Sequence, residues 1–439
     1  MNTIRPNLAN LNQKFPNTIQ KQVETDFHRF IGSGLPSPLE PYILQRFGLD
    51  VSTTYAGIPI KNPWGKASGQ LSMTAQQVED DAAAGLGFCV LKTVIAQDAI
   101  GQQAMAAWAI PESRMVLERI TGRSGATGWT VSWRGRGWYR SFHDYLQLIR
   151  DAQRIARPAG MLVVPSCKYF LPTPGSPAWD TNEYAFSTQE LLRAYNADGL
   201  SLHAEMPIEK DFSPTLAGSS FAADQKQIID WLQRVPDLIR QSAAPNQVRV
   251  GLKMFNAMFD DAFQLHMLQS IALAGNARPD FIVYANRLFD PARNFEGQLG
   301  IAVGGPDLSD RNIRVLTQFQ NWLRTYPELD RPEISATGDI CSGRRAVEYL
   351  LRGCRNFQLH TFFQLPADQY PMRHGNKIAR ALHRLYFDPN EGFIVWALFA
   401  AERVGLDSSR PVRVMDLADI HRHGERLDAL WAEIDSAIR

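Results

Sequence analysis

An α/β chain folded as a (β/α)8 barrel of the TIM type is the architecture to expect here, with an N-terminal arm, long lid loops and a C-terminal helical extension. Three observations point to it. Apolar, β-branched segments alternate with amphipathic ones along the chain. Several apolar segments end on a polar group, as in Val248-Arg-Val-Gly-Leu-Lys253, and again at Lys92, His203, Asn286, Asp339 and Thr361. Gly87-Phe-Cys-Val-Leu-Lys-Thr93 is apolar almost throughout, as a strand covered on both faces must be. Polar groups delivered by many strand ends to one face are how such a barrel builds a site.

Residues 1–53 are polar, then mixed, with a Pro-rich run at Gly34-Leu-Pro-Ser-Pro-Leu-Glu-Pro41, and read as an arm or helical cap. Tyr55-Ala-Gly-Ile-Pro-Ile60 has the pattern of a hairpin, and Trp64-Gly-Lys-Ala-Ser-Gly69 that of the first barrel strand with its loop. A helix is expected over 73–84, with Thr74 as its cap and Gly85 at its exit. The remaining strands are expected over 161–166, 199–205, 248–254, 281–285, 333–337 and 356–362. Helical stretches over 224–241, 262–274, 310–323 and 344–351 separate them. The barrel thus spans 54–365, leaving 366–439 as a helical tail with Leu427, Leu430, Trp431, Ile434 and Ile438 at helical spacing. Two connections, 95–140 and 168–187, exceed simple loops and read as lids or binding elements.

At 439 residues and 45% hydrophobic content the chain can bury a large core. Lys+Arg 46 against Asp+Glu 45 gives a net charge of +1, so nothing draws it over distance to nucleic acid or an anionic membrane. No apolar run approaches the roughly 20 residues of a membrane span, and no leader pattern opens the chain, which suggests a cytoplasmic protein. The four dispersed cysteines form no CxxC pair and read as buried apolar residues. His421 and His423 lack a carboxylate constellation, so no metal is expected.

Six segments in order resemble the flavin barrels of the dihydroorotate dehydrogenase and dihydropyrimidine dehydrogenase family. They are Asn62-Pro63 with Ala67-Ser68-Gly69; 85–93; Gly251-Leu-Lys253; Phe281-Ile-Val-Tyr-Ala-Asn286; Gly304-Gly-Pro-Asp-Leu308; and Thr337-Gly-Asp-Ile-Cys-Ser-Gly343 with Phe357-Gln-Leu-His-Thr361. The resemblance implies FMN across the strand ends. Ala67, Ser68, Gly69, Lys92, Thr93, Lys253 and Asn286 would lie around the ring, with Gly304, Gly305, Gly338, His360 and Thr361 toward the phosphate. It also implies an oxidoreductase passing hydride between flavin N5 and a small cyclic or carboxylated substrate, with CH–CH or C=C chemistry. With no GxGxxG turn or cysteine cluster, the electron acceptor or donor would be external; a homodimer is compatible with the pattern.

The chain departs from the family at Asp339, where a second glycine is usual, and at His360. Residues 202–208 stand against the family's Asn-Leu-Ser-Cys-Pro-Asn, which puts Met206 in the place of the proton-abstracting Cys or Ser. His203 and Glu205, on one face of the expected strand, then become the catalytic candidates with Lys92. His203, Asn286, Arg134 and Arg136 are the candidates for substrate binding. The alternatives are a flavin-less barrel acting as a binding or scaffold protein, and a non-redox lyase or isomerase on the same fold.

Overall fold

The computed structural model describes residue 8 and residues 17–111, 114–133, 135–172, 179–199, 201–212, 225–256, 259–407 and 409–438. Among the described residues, eight parallel strands close into a barrel: β1 (Trp64–Lys66), β2 (Phe88–Val90), β3 (Leu162–Val164, resuming as Ser166–Lys168), β4 (Met206–Asp211), β5 (Val248–Phe255), β6 (Phe281–Asn286), β7 (Glu333–Thr337) and β8 (Cys354–Leu359). Pro165 interrupts β3 because it has no N–H for the ladder. The first half of β3 pairs with β2 (Phe88↔Leu162) and the second half with β4 (Ser166↔Glu209). β8 returns to β1 (Phe357↔Trp64), which closes the ring.

Period-two alternation fixes what each strand points inward. The lower interior is apolar: Phe88, Val90, Leu162, Val164, Phe281 and Val283 meet Tyr55, Ile58 and Ile60 from the hairpin Thr53–Tyr55/Ile58–Ile60, which plugs the N-terminal mouth. Half-buried Glu333 holds that hairpin, accepting from Thr54 Oγ1 at 2.6 Å and from the Ala56 and Gly57 amides at 2.9 and 3.0 Å. Gly65 and Gly251 face the same space; a Cβ there would fall 2.3 Å from the Phe88 ring and 2.1 Å from the Phe281 ring. Large rings opposite absent side chains are how this layer fills.

Helices cover the barrel's outside. Thr74 caps Ala75–Ala84 by accepting from the Gln77 amide, and Gly85 ends it in the left-handed region, as expected. Lys66, on the outward face of β1, reaches Asp81 of that helix at 2.5 Å. The N-terminal helix Asn17–Ser33 packs on Lys377–Phe387 and Phe393–Arg403. A short parallel pairing of Leu49–Asp50 with Val412–Arg413 also ties the arm to the tail. In Gly424–Ile438, Leu427, Leu430 and Trp431 are buried, and Arg352 stands 4.8 Å over the Trp431 ring.

One strand differs from expectation. β4 is Met206–Asp211, paired in register from Met206↔Val248 to Asp211↔Lys253, where the sequence suggested 199–205. Glu209, Lys210 and Asp211 are all buried in this strand, and each charge has partners. Glu209 accepts from Tyr55 Oη at 2.6 Å and from Gln358, while Lys210 donates to the Tyr169 carbonyl at 2.9 Å. Partnered charges make a strand here that periodicity cannot reveal.

Candidate functional site

The strands that deliver apolar rings to the lower barrel deliver polar groups two residues further on. Lys92 follows Val90, Lys253 follows Gly251, Thr337 follows Ser335, and Gln358 is followed by His360. At the C-terminal mouth Ala67, Ser68, Lys253, Asn286, Gly304, Gly305, Gly338, His360 and Thr361 line one cleft together with Thr337 and Gln358. Buried Lys92 stands behind it, close enough to act on the His360 ring. Nine residues proposed from sequence for one ligand thus share one wall.

The electrostatics are dominated by positive charge. Burial, then Lys92, Arg287, Lys253 and Lys66 in that order, hold the His360 pKa well below the usual histidine range, so its ring is neutral. The Gln364 amide nitrogen donates to Nδ1 at 2.9 Å, which leaves the ring proton on Nε2. Nε2 is buried without a partner and rests against Gly69, where a Cβ would lie 2.5 Å from it. This is an unspent donor in the wall of the cleft.

Ser68 presents the opposite polarity. Its Oγ lies 3.0 Å from Thr93 Oγ1, and Thr93 in turn lies 2.9 Å from Ser166 Oγ and 3.0 Å from Asp211 Oδ2. A carboxylate can only accept, so the single Thr93 hydrogen goes to Asp211 and Ser68 donates to Thr93. The Ser68 lone pairs are therefore left for a donor in the cleft.

Two hairpins form the roof, Val116–Thr121/Thr127–Ser132 after β2 and Leu288–Phe295/Gln298–Val303 after β6. Arg293 pairs with Glu118 across them at 2.6 Å, and Thr130 Oγ1 accepts from the Gly304 amide at 2.9 Å. Arg287 is half-buried, its pKa pushed down to about 9 by desolvation and then Arg293, and lies 4.2 Å over the Trp133 ring. Trp133 stands 5.6 Å from His360, so the roof comes down onto the floor and the enclosed volume is only about 110 Å3. That is well under the roughly 300–1,000 Å3 of ligand pockets. A large ligand needs Trp133 to swing away.

At the far end the 18-residue helix Pro306–Leu323 begins at Gly305, with Pro306 in its first turn. Gly338 and Asp339 both have positive φ there (108° and 51°), which turns the backbone beneath the helix start. The Asp339 carboxylate accepts from Ser309 Oγ at 3.1 Å, and burial raises its pKa to about 6 against the pull of Arg345. Arg345 Nη1 is itself buried without a hydrogen-bond partner, its nearest carboxylate being Asp310 at 3.9 Å.

Several expected residues lie elsewhere. His203 and Glu205 precede β4 and so sit at the N-terminal mouth, opposite the cleft, where Glu205 is paired with Arg249 at 2.5 Å. They do not meet Lys92 or Lys253; the strand shift accounts for the correction. Arg136 donates to the Trp108 carbonyl at 2.6 Å rather than lining the cleft, and stands near buried Lys168, whose Nζ is 4.4 Å over the Trp108 ring. Arg134 lies outside the described residues. Sequence reading missed Gln358, Arg287 and Trp129 as wall residues. Gln358 had a signal in its position two before His360; Trp129 lies on a roof-hairpin strand inside a connection read only as a long loop, and Arg287 lies between β6 and the second hairpin, where no period speaks.

Taken together, the closed barrel and its strand-end cleft define a TIM-type protein with one polar site at the C-terminal mouth. No family model and no curated protein matches the sequence. Among solved structures the chain is similar to DHODH from Eimeria tenella in complex with ferulenol, with TM-score 0.53 and 12% identity over 93% of this chain and 97% of that one. At that identity the likeness bears on the fold alone.

Proposed function

We propose that the chain is an FMN-dependent oxidoreductase acting on CH–CH or C=C bonds of a small cyclic or carboxylated substrate. The observation that carries the reading is the convergence of Lys253 with the unpartnered His360 Nε2–H and the Ser68 acceptor on one wall, backed by the charge of buried Lys92. This set of donors and acceptors suits a flat heteroaromatic ring bearing both kinds of group. FMN, when bound, supplies hydride acceptance and donation at N5. Lys92 and Lys253 favour negative charge at the ring's polar edge, His360 donates to it, and the backbone turn at Gly305 and Gly338 suits a phosphate at a helix start. Asp339 opposes that phosphate and Arg345 favours it. Trp133 must lift for the ring to enter and would then shield it from water.

With β4 ending at Asp211, the segment to set against Asn-Leu-Ser-Cys-Pro-Asn moves to residues 210–215, and Ser213-Pro214 takes the Cys-Pro place. We assign Ser213, which lies outside the described residues, the proton at the substrate carbon.

A visible flavin spectrum in the purified chain, bleached anaerobically by a cyclic dihydro compound, is the expected result. S213A should keep that spectrum and lose about 10²–10⁴-fold in turnover. The closed slot and Asp339 favour a second reading, a flavin-less binding barrel. A colourless protein that leaves the fluorescence of added FMN unchanged would select it.

A further inference from the structure

We propose a second ligand site, for a hydrogen-phosphate group, at the N-terminal mouth where the C-terminal extension meets the barrel floor. Arg331, Arg355 and Arg422 gather there around one carboxylate, Asp419, beside buried His421. Asp419 accepts from Arg355 Nη2 at 2.8 Å and pairs with Arg422 at 3.5 Å. The neighbouring acids are engaged elsewhere: Asp330 pairs with Arg278, Asp280 with Arg240, and Glu333 with the plug hairpin. Arg331 is half-buried and makes no hydrogen bond or ion pair among the described residues, and the nearby Arg422 depresses its pKa after burial does. Asp419 is the one carboxylate in direct contact with this arginine group among the described residues, with Asp330 and Glu333 acting only at longer range on Arg331 and Arg355, and an anion is the missing direct counter-charge.

Two buried atoms specify which anion. Arg355 Nη1 has no hydrogen-bond partner and wants an acceptor. His421 Nδ1 lies 2.6 Å from the Ala418 carbonyl, so it carries the ring proton. His421 Nε2, also unpartnered, therefore offers a lone pair and wants a donor. Burial followed by Arg331, Arg422 and Arg355 keeps that ring neutral. Inorganic hydrogen phosphate near neutrality, or a phosphomonoester in its singly protonated form below its second pKa of about 6, satisfies both demands: its oxygens meet the guanidinium groups and its P–OH meets Nε2. Sulfate has no proton near neutrality and satisfies only one.

Calorimetric titration of the full chain with inorganic phosphate, glycerol phosphate and sulfate at matched ionic strength tests this. Saturable phosphate binding at least about tenfold tighter than sulfate is expected. R331Q should weaken it about tenfold or more, while R123Q, at a well-exposed arginine on the roof, leaves it unchanged. Should R331Q fail to fold, R331K keeps the charge but loses the fork, and an intermediate loss supports the site. Glycerol phosphate binding alongside phosphate points to a monoester ligand; phosphate binding alone points to the free ion. Phosphate and sulfate binding alike, or R331Q binding phosphate as the wild type does, overturns the proposal. The second outcome would mean that the ion sits elsewhere, as at the opposite mouth.

Discussion

Lys253 and Asp339 set opposite demands on a ligand in the cleft. Lys253 lies buried near the end of β5, where its charge is weakly screened by solvent and acts on the neighbouring Glu209 carboxylate as well as on His360. Replacing it by methionine keeps the packing and removes the charge. K253M should lower the two-electron potential of bound flavin by at least about 30 mV, equivalent to about 1.4 kcal/mol. Spectroelectrochemistry reads the shift. Asp339 works the other way. Its value of about 6 lies above its ordinary 3.8, so the folded chain favours the neutral carboxyl. A dianionic phosphate nearby reinforces that preference. FMN affinity should therefore fall as pH rises through about 6. D339N should remove that dependence and tighten binding about tenfold at pH 8, measured by fluorescence quenching. His203 and Glu205, at the other mouth, predict the reverse: H203A should leave turnover unchanged.

At the scale of elements, the tightest constraint is the match of small to large inside the barrel. Gly251 lies under the Phe281 ring, so G251A forces either β5 or β6 to move. A loss of about 1–3 kcal/mol on chemical unfolding is expected, partly recovered by adding F281L. Strand ends and helix caps were readable from sequence because they rest on local chemistry: Thr74, Gly85 and the segment ending at Lys253 all fall where expected. β4 was not readable, since Glu209 and Lys210 look like surface until Tyr55, Gln358 and Tyr169 supply their partners from distant segments. The error carried His203 and Glu205 to the wrong mouth. The roof was legible only as two long connections. Nothing local announces that Trp133 stacks between Arg287 and His360, because those contacts span more than a hundred residues.

Across the whole molecule, buried carboxyls make the fold sensitive to pH. Asp81 and Asp339 are raised to about 6 and Glu183 to about 7, each chiefly by burial. A carboxyl whose folded value is raised contributes stability that is fully present below its unfolded value and is lost as pH rises through the folded one. Lys210, lowered to about 8 by burial, restores some only at higher pH. Buried, neutral His360 and His421 work in the opposite sense, adding stability as pH rises toward the ordinary histidine value. The carboxyl contribution is therefore read by difference: E183Q should lose the part of the urea-midpoint change around pH 7 that Glu183 supplies. A variant whose pH profile superimposes on that of the wild type would contradict that assignment. No helix among the described residues is long and apolar enough to cross a membrane. The most direct test of the central reading is FMN binding to the purified full chain, compared with a K92M/K253M double variant of equal stability. Saturable binding with a perturbed visible spectrum in the wild type, lost or weakened at least about tenfold in the variant, is the expected result. A wild-type chain that leaves the flavin spectrum and fluorescence untouched would contradict it.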